Sequence, residues 1–359
     1  MGIIHNRIKG ICCFATSILL SISLASCQNK TTMEKFQWLP TECAPELYPM
    51  NIAKGFLLFE DGNEISIPSA DPIKNGWGKH GSTAIIGDEF KPVPVKLDIT
   101  WLSYTENKFF SGSFDLPKDS IIKWFKEGYT DPVTLKPATY DCIAVGMAPG
   151  GVVVVWIQGI NHQLEIGRYQ AKESNMTMGE YIAAKGFSSD MTHDRTALCK
   201  STLEDEPAAV ENLKVKGLQL GLWDTYRQRF NIRPVMIFDQ SHHAKTSSIY
   251  MQFYNGEQDD LVLDKLLKNE FSPRARIKKV AFQWMDDWAG KKQKYILELN
   301  MDEKEIFNAY KEVYGDNPKQ EAELTVQINP GNDHYRIFLK SKTKNTELLK
   351  AKGEIYLAQ

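Results

Sequence analysis

Histidine is the residue type in this chain that points most directly to metal or acid–base chemistry, and the chain has seven. None stands in an H-E-x-x-H or Cys/His spacing, so the sequence predicts no metal site. His242 and His243 are adjacent, and adjacent side chains point to different sides of a strand or helix. We therefore interpret them as solvated polar residues rather than as a chelating pair.

Two acidic pairs could support acid–base catalysis or cation binding. They are Asp259-Asp260 and Asp286-Asp287. Neither pair has a further ligand at a known spacing, so we interpret both as turn and surface acids.

Hydroxyl side chains that could act as nucleophiles occur at Ser82-Thr83 and Ser247-Ser248. No Gly-x-Ser-x-Gly elbow surrounds them. A Ser-His-Asp triad is defined by geometry rather than by spacing, so the sequence neither shows nor excludes one. We predict no catalytic residue and no cofactor, and we keep an envelope hydrolase with a spatially assembled Ser/His/carboxylate site as the alternative function.

Six cysteines are present, and three of them stand within the first 27 residues. The other three are Cys43, Cys142 and Cys199. An exported chain meets an oxidising compartment, so one disulfide among these is open, but three thiols cannot all pair. No C-x-x-C spacing indicates zinc or redox chemistry, and we expect at least one buried free thiol.

The N-terminus has the layout of a bacterial lipoprotein signal. Arg7 and Lys9 precede an apolar run over 11–22, and Leu24-Ala25-Ser26-Cys27 follows it. The run is too short to cross a bilayer as a stable helix. We predict a signal peptide over 1–26 and lipidation of Cys27 with acyl chains such as palmitate. The alternative is an ordinary signal peptide or a retained membrane anchor. Neither explains why a cysteine stands at this spacing after the apolar run.

The predicted lipid fixes the expected location of the protein. Gln28 is not the acidic residue that marks inner-membrane retention in some bacteria. We therefore expect a lipid-anchored protein of the bacterial cell envelope, held at the outer membrane on an undetermined face. Several acyl chains on one residue anchor firmly.

Composition sets the class of the remainder. With 42% apolar and 25% charged residues, the chain is typical of a globular protein. Removal of the predicted signal leaves more residues than one core usually serves, which favours two domains. The formal net charge of −2 gives no field that would attract nucleic acid, so we predict no nucleic-acid partner.

The segment from Lys74 to Gly81 is the candidate binding loop. It combines three glycines with Trp77, Lys79 and His80. Such glycines prevent regular structure and let the backbone approach a partner, and aromatic and basic residues together are typical of binding hot spots. The alternative is that Trp77 folds inward as a core plug and the glycines serve only turns.

The chain repeats itself at an offset of about 181 residues, which predicts a duplicated domain. The matched segments, in the same order in both halves, are Asp88–Pro92 and Asn269–Pro273, Trp101 and Trp284, Phe125–Tyr129 and Tyr310–Tyr314, and Pro149–Gly150 and Pro330–Gly331.

Both copies show the same order of predicted elements: two strands, a helix, and two strands around a tight turn. In the first copy these are 95–103, 108–116, a helix from Pro117 to Gly128, 142–147 and 152–157. In the second they are 277–284, 294–299, a helix capped by Asp302 and closed by Gly315, 324–328 and 335–339. A hairpin over 55–67 and a short helix over 177–185 are also predicted.

The predicted fold class is α+β, with two tandem related domains, each an antiparallel β-sheet with one packed helix. The domain boundaries follow from the pattern breaks: signal peptide 1–26, tether 27–44, first domain 45–171, linker 172–215, and second, diverged domain 216–359.

Four segments carry a family resemblance: Lys96–Trp101, Phe114–Pro117, Val145–Gly151 and Trp156–Gly159. In this order they resemble an uncharacterised family of bacterial lipoproteins, domain of unknown function 2931, over residues 76–171. The second copy departs from the pattern, with Asn300 in place of Pro117 and no second glycine after Gly331. The resemblance implies a lipoprotein, supplies no catalytic residue, and implies a toxin-neutralising (immunity) role as one form of function.

The function expected from these observations is that of a noncatalytic binding module for a protein or glycan. Membrane attachment would rest on the lipid at Cys27. Trp77, Lys79 and His80 are the predicted contact residues.

Overall fold

The computed structural model of the protein describes residues 33–85, 87–188, 190–239, 243–287 and 290–358. The predicted signal peptide, Cys27, Gln28 and His242 lie outside these ranges. Contacts group the described chain from Glu34 onward into one unit. Within the described ranges, no helix is both long enough and apolar enough to cross a bilayer.

The strands are, in chain order, β1 (Lys35–Gln37), β2 (Leu39–Cys43), β3 (Met50–Leu58), β4 (Glu64–Ser66), β5 (Phe90–Pro92), β6 (Lys96–Ser103), β7 (Lys108–Asp115), β8 (Tyr129–Thr130), β9 (Pro137–Ala138), β10 (Cys142–Ala148), β11 (Val152–Gly159), β12 (His162–Gln170), β13 (Lys172–Ser174), β14 (Phe230–Phe238), β15 (Lys245–Phe253), β16 (Gln258–Leu261), β17 (Ser272–Arg274), β18 (Ile277–Asp286), β19 (Gln293–Asn300), β20 (Ala322–Ile328), β21 (Tyr335–Ser341), β22 (Asn345–Glu347) and β23 (Lys352–Leu357).

The helices are α1 (Lys118–Glu127), α2 (Met178–Lys185), α3 (Arg195–Glu204), α4 (Pro207–Lys216), α5 (Leu222–Tyr226), α6 (Leu263–Lys268) and α7 (Glu303–Tyr314). The predicted α+β class with mostly antiparallel sheets is therefore confirmed.

Each half of the chain buries a hydrophobic core between two sheets. In the first half the sheets are β2-β10-β11-β12 and β4-β3-β6-β7-β13, and both contribute to the core around Trp101 and Trp156. In the second half they are β17-β14-β20-β21-β22 and β16-β15-β18-β19-β23, around Trp284 and Tyr310. Alternation of apolar and polar residues explains the half-buried strands β6 and β18. The continuous apolar run of β11 is buried along nearly its whole length.

The two halves have the same topology. An early strand of each half, β2 or β14, pairs in parallel with a strand that follows the long helix of that half, β10 or β20. The remaining pairs within these sheets are antiparallel. Trp101 stacks on its cross-strand partner Phe110 at 5.4 Å, and Trp284 stacks on its partner Tyr295 at 5.3 Å. A common topology is what duplication predicts, and duplication itself stays a prediction.

One contact between strands joins the halves into a larger sheet. Strand β12 of the first half pairs antiparallel with β16 of the second at Gln163 and Gln258. This produces a nine-stranded sheet, β2-β10-β11-β12-β16-β15-β18-β19-β23. The halves are therefore continuous in hydrogen bonding.

The predicted helix ends are placed correctly. Asp302 accepts a hydrogen bond from the Glu305 amide at 2.9 Å and so caps α7, and Gly315 ends it. Thr177 and Glu180 form a reciprocal capping box at the start of α2. Helix α1 begins one residue after Pro117, which occupies the cap position.

The glycine turn between β10 and β11 is a hairpin, as predicted. Gly150 and Gly151 have φ values of 77° and 76°, which glycine adopts without strain. The Gly150 amide donates to Glu106 Oε1 at 3.0 Å. Because that amide is occupied by a protein carboxylate, the turn does not offer it as an anion cradle.

Two intervals outside the predicted domains are folded. Residues assigned to the tether form β1 and β2, with Thr41 and Glu42 fully buried. Most of the predicted linker is helical: α2 and α3 place Met178, Tyr181 and Cys199 in a third apolar cluster against the first half. An apolar stripe on α2 explains this packing.

Candidate functional site

A cavity of about 260 Å³ lies where the two halves meet; we call it the central cavity. Its walls come from three parts of the chain: the segments before and after β3, the helices α4 and α5, and the second half. The residues that define it are Glu46, Tyr48, Trp77, Asn212, Lys216, Trp223, Tyr226, Tyr254, Lys278 and Glu303. Ligand sites occur preferentially at such junctions.

Aromatic rings form a continuous wall of the central cavity. Trp223 is at its middle, with Tyr48 at 5.5 Å, Trp77 at 5.9 Å and Tyr226 at 5.9 Å between ring centroids. Tyr226 continues to Tyr254 at 5.3 Å. Each of these five rings packs against at least one other, so the wall is formed without a ligand.

Two phenols at the cavity are held in defined hydrogen bonds, whereas the indole nitrogens of Trp77 and Trp223 are buried without an acceptor. Tyr226 Oη donates to Glu303 Oε1 at 2.6 Å, and Tyr48 Oη donates to the Gly217 carbonyl at 2.9 Å. Burial, reinforced by the hydrogen bond to Glu303, raises the pKa of Tyr226, so the phenol stays protonated. The lining carboxylates Glu46 and Glu303 are matched by two lysines, so the site has no single sign of charge.

The predicted binding loop contributes to this site through one of its three named residues. Trp77 turns inward, packs edge-on against Trp156 at 5.0 Å, and also lines the central cavity. Lys79 pairs with Glu46 at 2.8 Å, which lowers the pKa of that carboxyl. His80 Nδ1 lies 3.3 Å from Gln158 Oε1 and is not part of the lining. Trp77 therefore packs inward, as in the core-plug alternative, and it also forms part of the cavity wall.

The same loop is hydrogen-bonded to the first half close to the junction with the second. The Gly78 carbonyl accepts hydrogen bonds from Gln158 Nε2 at 3.1 Å and from Gln163 Nε2 at 2.9 Å. Trp156 Nε1 donates to the Asn255 carbonyl at 3.2 Å. Side chains of the first half therefore bind backbone groups both of the loop and of the second half.

Two ion pairs close the junction beside the loop. Arg227 Nε lies 2.6 Å from Glu165 Oε1, and Arg229 Nη1 lies 2.6 Å from Glu257 Oε2. Both carboxylates are less than one-tenth exposed, whereas the two arginines are 37% and 42% exposed, so water reaches one partner of each pair.

The hydrolase alternative has no assembled triad in the part of the chain that the structure describes. His162 Nδ1 lies 3.5 Å from Asp259 Oδ1, and its ring stacks on Tyr129 at 4.8 Å. No hydroxyl or thiol is hydrogen-bonded to a described histidine ring. Burial lowers the pKa of His162 to about 4, which disfavours a general base near neutral pH.

The interpretation of the acidic pairs as turn and surface residues was wrong for Asp260 and Asp286. Both lie in strands and are 7% and 4% exposed. Asp286 Oδ2 accepts from Asn332 at 2.7 Å. Burial, followed by repulsion from Asp259, raises the pKa of Asp260 to about 7. No group of three or more His, Cys, Asp or Glu residues able to hold a metal occurs within the described ranges.

Cys43, Cys142 and Cys199 are free and buried. Burial raises the pKa of Cys43 to about 12 and that of Cys199 to about 11, so neither is a thiolate near neutral pH. The expected buried free thiol is confirmed.

Sequence reasoning missed Tyr48, Trp223, Tyr226 and Tyr254. The available signal was local: Trp223 and Tyr226 are three residues apart, on one face of α5. Trp101, Trp156 and Trp284 are fully buried, whereas Trp124, which also lies on a periodic element, is only partly buried.

Comparisons with known proteins give one result. The family model described as "Protein of unknown function (DUF2931)" matches residues 25–209, just over half of the chain. Tyr48 and Trp77 lie within the matched segment, and the other three rings of the cavity wall lie beyond it. Searches of curated proteins and of solved structures gave no match. The chain belongs to the DUF2931 family.

Proposed function

We propose that this protein is a lipid-anchored lipoprotein of the bacterial cell envelope that binds a protein or glycan without catalysing a reaction. The observation that carries the proposal is the aromatic wall of the central cavity. Tyr48 and Trp77 contact Trp223, and Tyr254, from a distant part of the chain, contacts Tyr226 beside it.

Aromatic walls bind two kinds of group well. The carbon–hydrogen face of a sugar ring, or an apolar side chain of a protein, gains contact area against a rigid ring at low entropic cost. Glu46, Lys278 and Glu303 at the same cavity can orient the hydroxyl or amide groups of such a ligand. The cavity is slightly smaller than the roughly 300–1,000 Å³ of drug-sized ligand pockets, so it suits one sugar ring or one side chain of a larger partner.

The noncatalytic part of the proposal rests on the chemistry of the wall. Its titratable side chains are tyrosines, lysines and glutamates. Burial raises the pKa values of Tyr48 and Tyr254, which keeps both phenols protonated. Neither can then act as a base, whereas both can donate or accept hydrogen bonds to a bound group.

The anchor and the location complete the proposal. Cys27 within the lipoprotein-type sequence Leu24–Cys27 would carry the lipid, and Gln28 favours the outer membrane. A toxin neutralised at the envelope is one protein partner of the proposed kind. Mass spectrometry of the natively produced protein tests the anchor: a chain beginning at an acylated Cys27 is expected, and an intact initiator methionine without fatty acid contradicts it.

Binding is tested with the full chain and two matched variants. Trp223→Phe shortens the central ring of the wall, and Trp101→Phe makes the same change at a buried tryptophan away from the cavity. The partner is sought by affinity capture from envelope extracts, and sugar and peptide fragments are titrated by tryptophan fluorescence. We expect Trp223→Phe to weaken binding about fivefold, from the loss of roughly 1 kcal/mol of aromatic contact, and Trp101→Phe to leave it unchanged. Equal binding by both variants contradicts the proposed site.

A further inference from the structure

Arg276 is a buried cation without a carboxylate partner among the described residues. Its side chain belongs to a residue that is 7% exposed, and no ion pair reaches it. Arg274, equally buried at 8%, has Asp259 at 3.8 Å. Buried charges are normally paired because removal from water is costly. Burial accordingly lowers the pKa of the Arg276 guanidinium.

Aromatic rings cover the guanidinium of Arg276, but not all of its N–H donors have an acceptor. The guanidinium carbon lies 4.3 Å from the Phe307 ring centre and 4.6 Å from that of Phe230, so aromatic rings cover it. Nη1 donates to the Thr225 carbonyl at 2.9 Å and Nη2 to Gln228 Oε1 at 2.7 Å. Nε is buried and has no acceptor. Of the five N–H donors that an arginine carries, two therefore have an acceptor in the structure.

Arg276 lines a second cavity, of about 560 Å³; we call it the arginine cavity. Its polar lining comprises Arg276, Arg229, Lys311, Gln228, Asn308 and Tyr310, with no carboxylate. Arg229 is neutralised by Glu257, which accepts from Nη2 at 2.7 Å and lies 2.6 Å from Nη1. Lys311, exposed in the last turn of α7, has no ion pair within the described chain. It also offsets the negative end of that helix dipole.

We propose that the arginine cavity binds the oxyanion group of a small ligand, a carboxylate or a phosphate, with Arg276 as the fixed donor and Lys311 as the mobile counter-charge. Arginine is suited to this role because its planar fork matches both groups. Contact with two rings and two hydrogen bonds holds the guanidinium in place, which lowers the entropic cost of binding. The ring of Phe307 separates this site from the central cavity, since it also contacts Tyr254 at 5.2 Å. The inference stands independently of the proposed function.

The test is the response of thermal unfolding and of calorimetric titration to defined anions. The full chain is measured with inorganic phosphate, glycerol phosphate and acetate, each against sodium chloride at equal ionic strength. A ligand that binds only the folded state raises the unfolding temperature with concentration. We expect at least one oxyanion to raise it above the chloride reference. The phosphate and acetate titrations compare the two anion types. Glycerol phosphate tests whether a phosphate ester of the kind found in lipid headgroups also binds.

Variants separate a specific site from general charge effects. Arg276→Gln is expected to weaken anion binding at least tenfold, Arg276→Lys less than that, and Lys311→Gln severalfold. Arg336→Gln is the matched control, because Arg336 also lies over a phenylalanine ring but is exposed and paired with Glu347. The proposal is overturned if no anion stabilises the unmodified chain beyond chloride. It is also overturned if anions stabilise Arg276→Gln as strongly as the unmodified chain. Should Arg276→Gln fail to fold, the unmodified chain and Lys311→Gln still decide the question.

Discussion

Gly78 and Gly256 meet backbone to backbone across the junction of the two halves. A Cβ built on Gly78 would lie 2.6 Å from the Gly256 Cα, and one built on Gly256 would lie 3.0 Å from the Gly78 Cα. No side chain larger than hydrogen fits either position without movement of the main chain. The candidate binding loop therefore contacts the second half at a point where both segments require glycine.

Gly78→Ala is predicted to destabilise the junction. Its φ of +71° and the contact with Gly256 together should lower the free energy of unfolding by about 2–4 kcal/mol, from left-handed strain plus overpacking. Gly62→Ala is the matched control, because Gly62 has φ +84° but nothing within 4 Å of the added carbon; it should cost about 1 kcal/mol. Urea unfolding of both variants measures the difference. Equal losses would mean that the glycine contact is dispensable.

Asp260 should make the protein less stable as pH rises. Its folded pKa of about 7 is above the ordinary 3.8, so the folded state retains a proton that the unfolded state releases. The destabilisation is absent below about pH 4, grows as pH rises, and is complete above about pH 7. The free energy of unfolding of Asp260→Asn should therefore be about 2–4 kcal/mol higher than that of the unmodified chain at pH 8. At pH 4 the two should be equal. Exposed Asp264→Asn is the control, and denaturant unfolding at each pH is the measurement.

His162 should have the opposite dependence on pH. Burial lowers its folded pKa from 6.5 to about 4, so the unfolded state binds a proton that the folded state refuses. The contribution of His162 to the free energy of unfolding is fully present above about pH 6.5 and is lost as pH falls towards 4. His162→Phe, which retains a ring against Tyr129, should remove about 2–3 kcal/mol of that acid sensitivity. An unchanged slope of the free energy of unfolding between pH 4 and 6.5 would exclude His162 as its source.

The sequence predicted the elements well because their patterns are local. Lys96–Ser103 alternates as a half-buried strand, and Asp302 and Gly315 are ordinary helix-end residues. It placed 27–44 in a tether, although Thr41 and Glu42 within that range are fully buried. They are buried because a distant loop supplies their partners: the Gly81 amide donates to Thr41 Oγ1 at 3.0 Å.

The central cavity could not be predicted for a related reason. Tyr48 meets Trp223 across a long stretch of chain, and Tyr254 reaches Tyr226 from the second half, which the pairing of β12 with β16 joins to the first. That pairing involves a single residue pair, Gln163 and Gln258, and two glutamines carry no pattern that marks a contact. The aromatic residues were visible, but their convergence depended on long-range packing.

Trp101 and Trp284 provide the last prediction, because the chain contains its own matched comparison. Both are fully buried at equivalent positions, each stacked on a cross-strand aromatic partner. Trp284 Nε1 donates to Asn332 Oδ1 at 2.7 Å, whereas Trp101 Nε1 is buried without an acceptor. Replacement by phenylalanine removes similar ring volume at both sites. At position 284 it also leaves the buried Asn332 with an unpaired oxygen, while at position 101 it removes a donor that had no partner.

Trp284→Phe should therefore lower the free energy of unfolding by about 1–3 kcal/mol more than Trp101→Phe, the cost of one buried unsatisfied group. Denaturant unfolding of the two variants measures this difference directly. Trp101→Phe is the matched control, because its buried indole nitrogen has no acceptor to lose. Equal costs for the two single variants would show that ring packing alone, and not the hydrogen bond to Asn332, determines the contribution of Trp284.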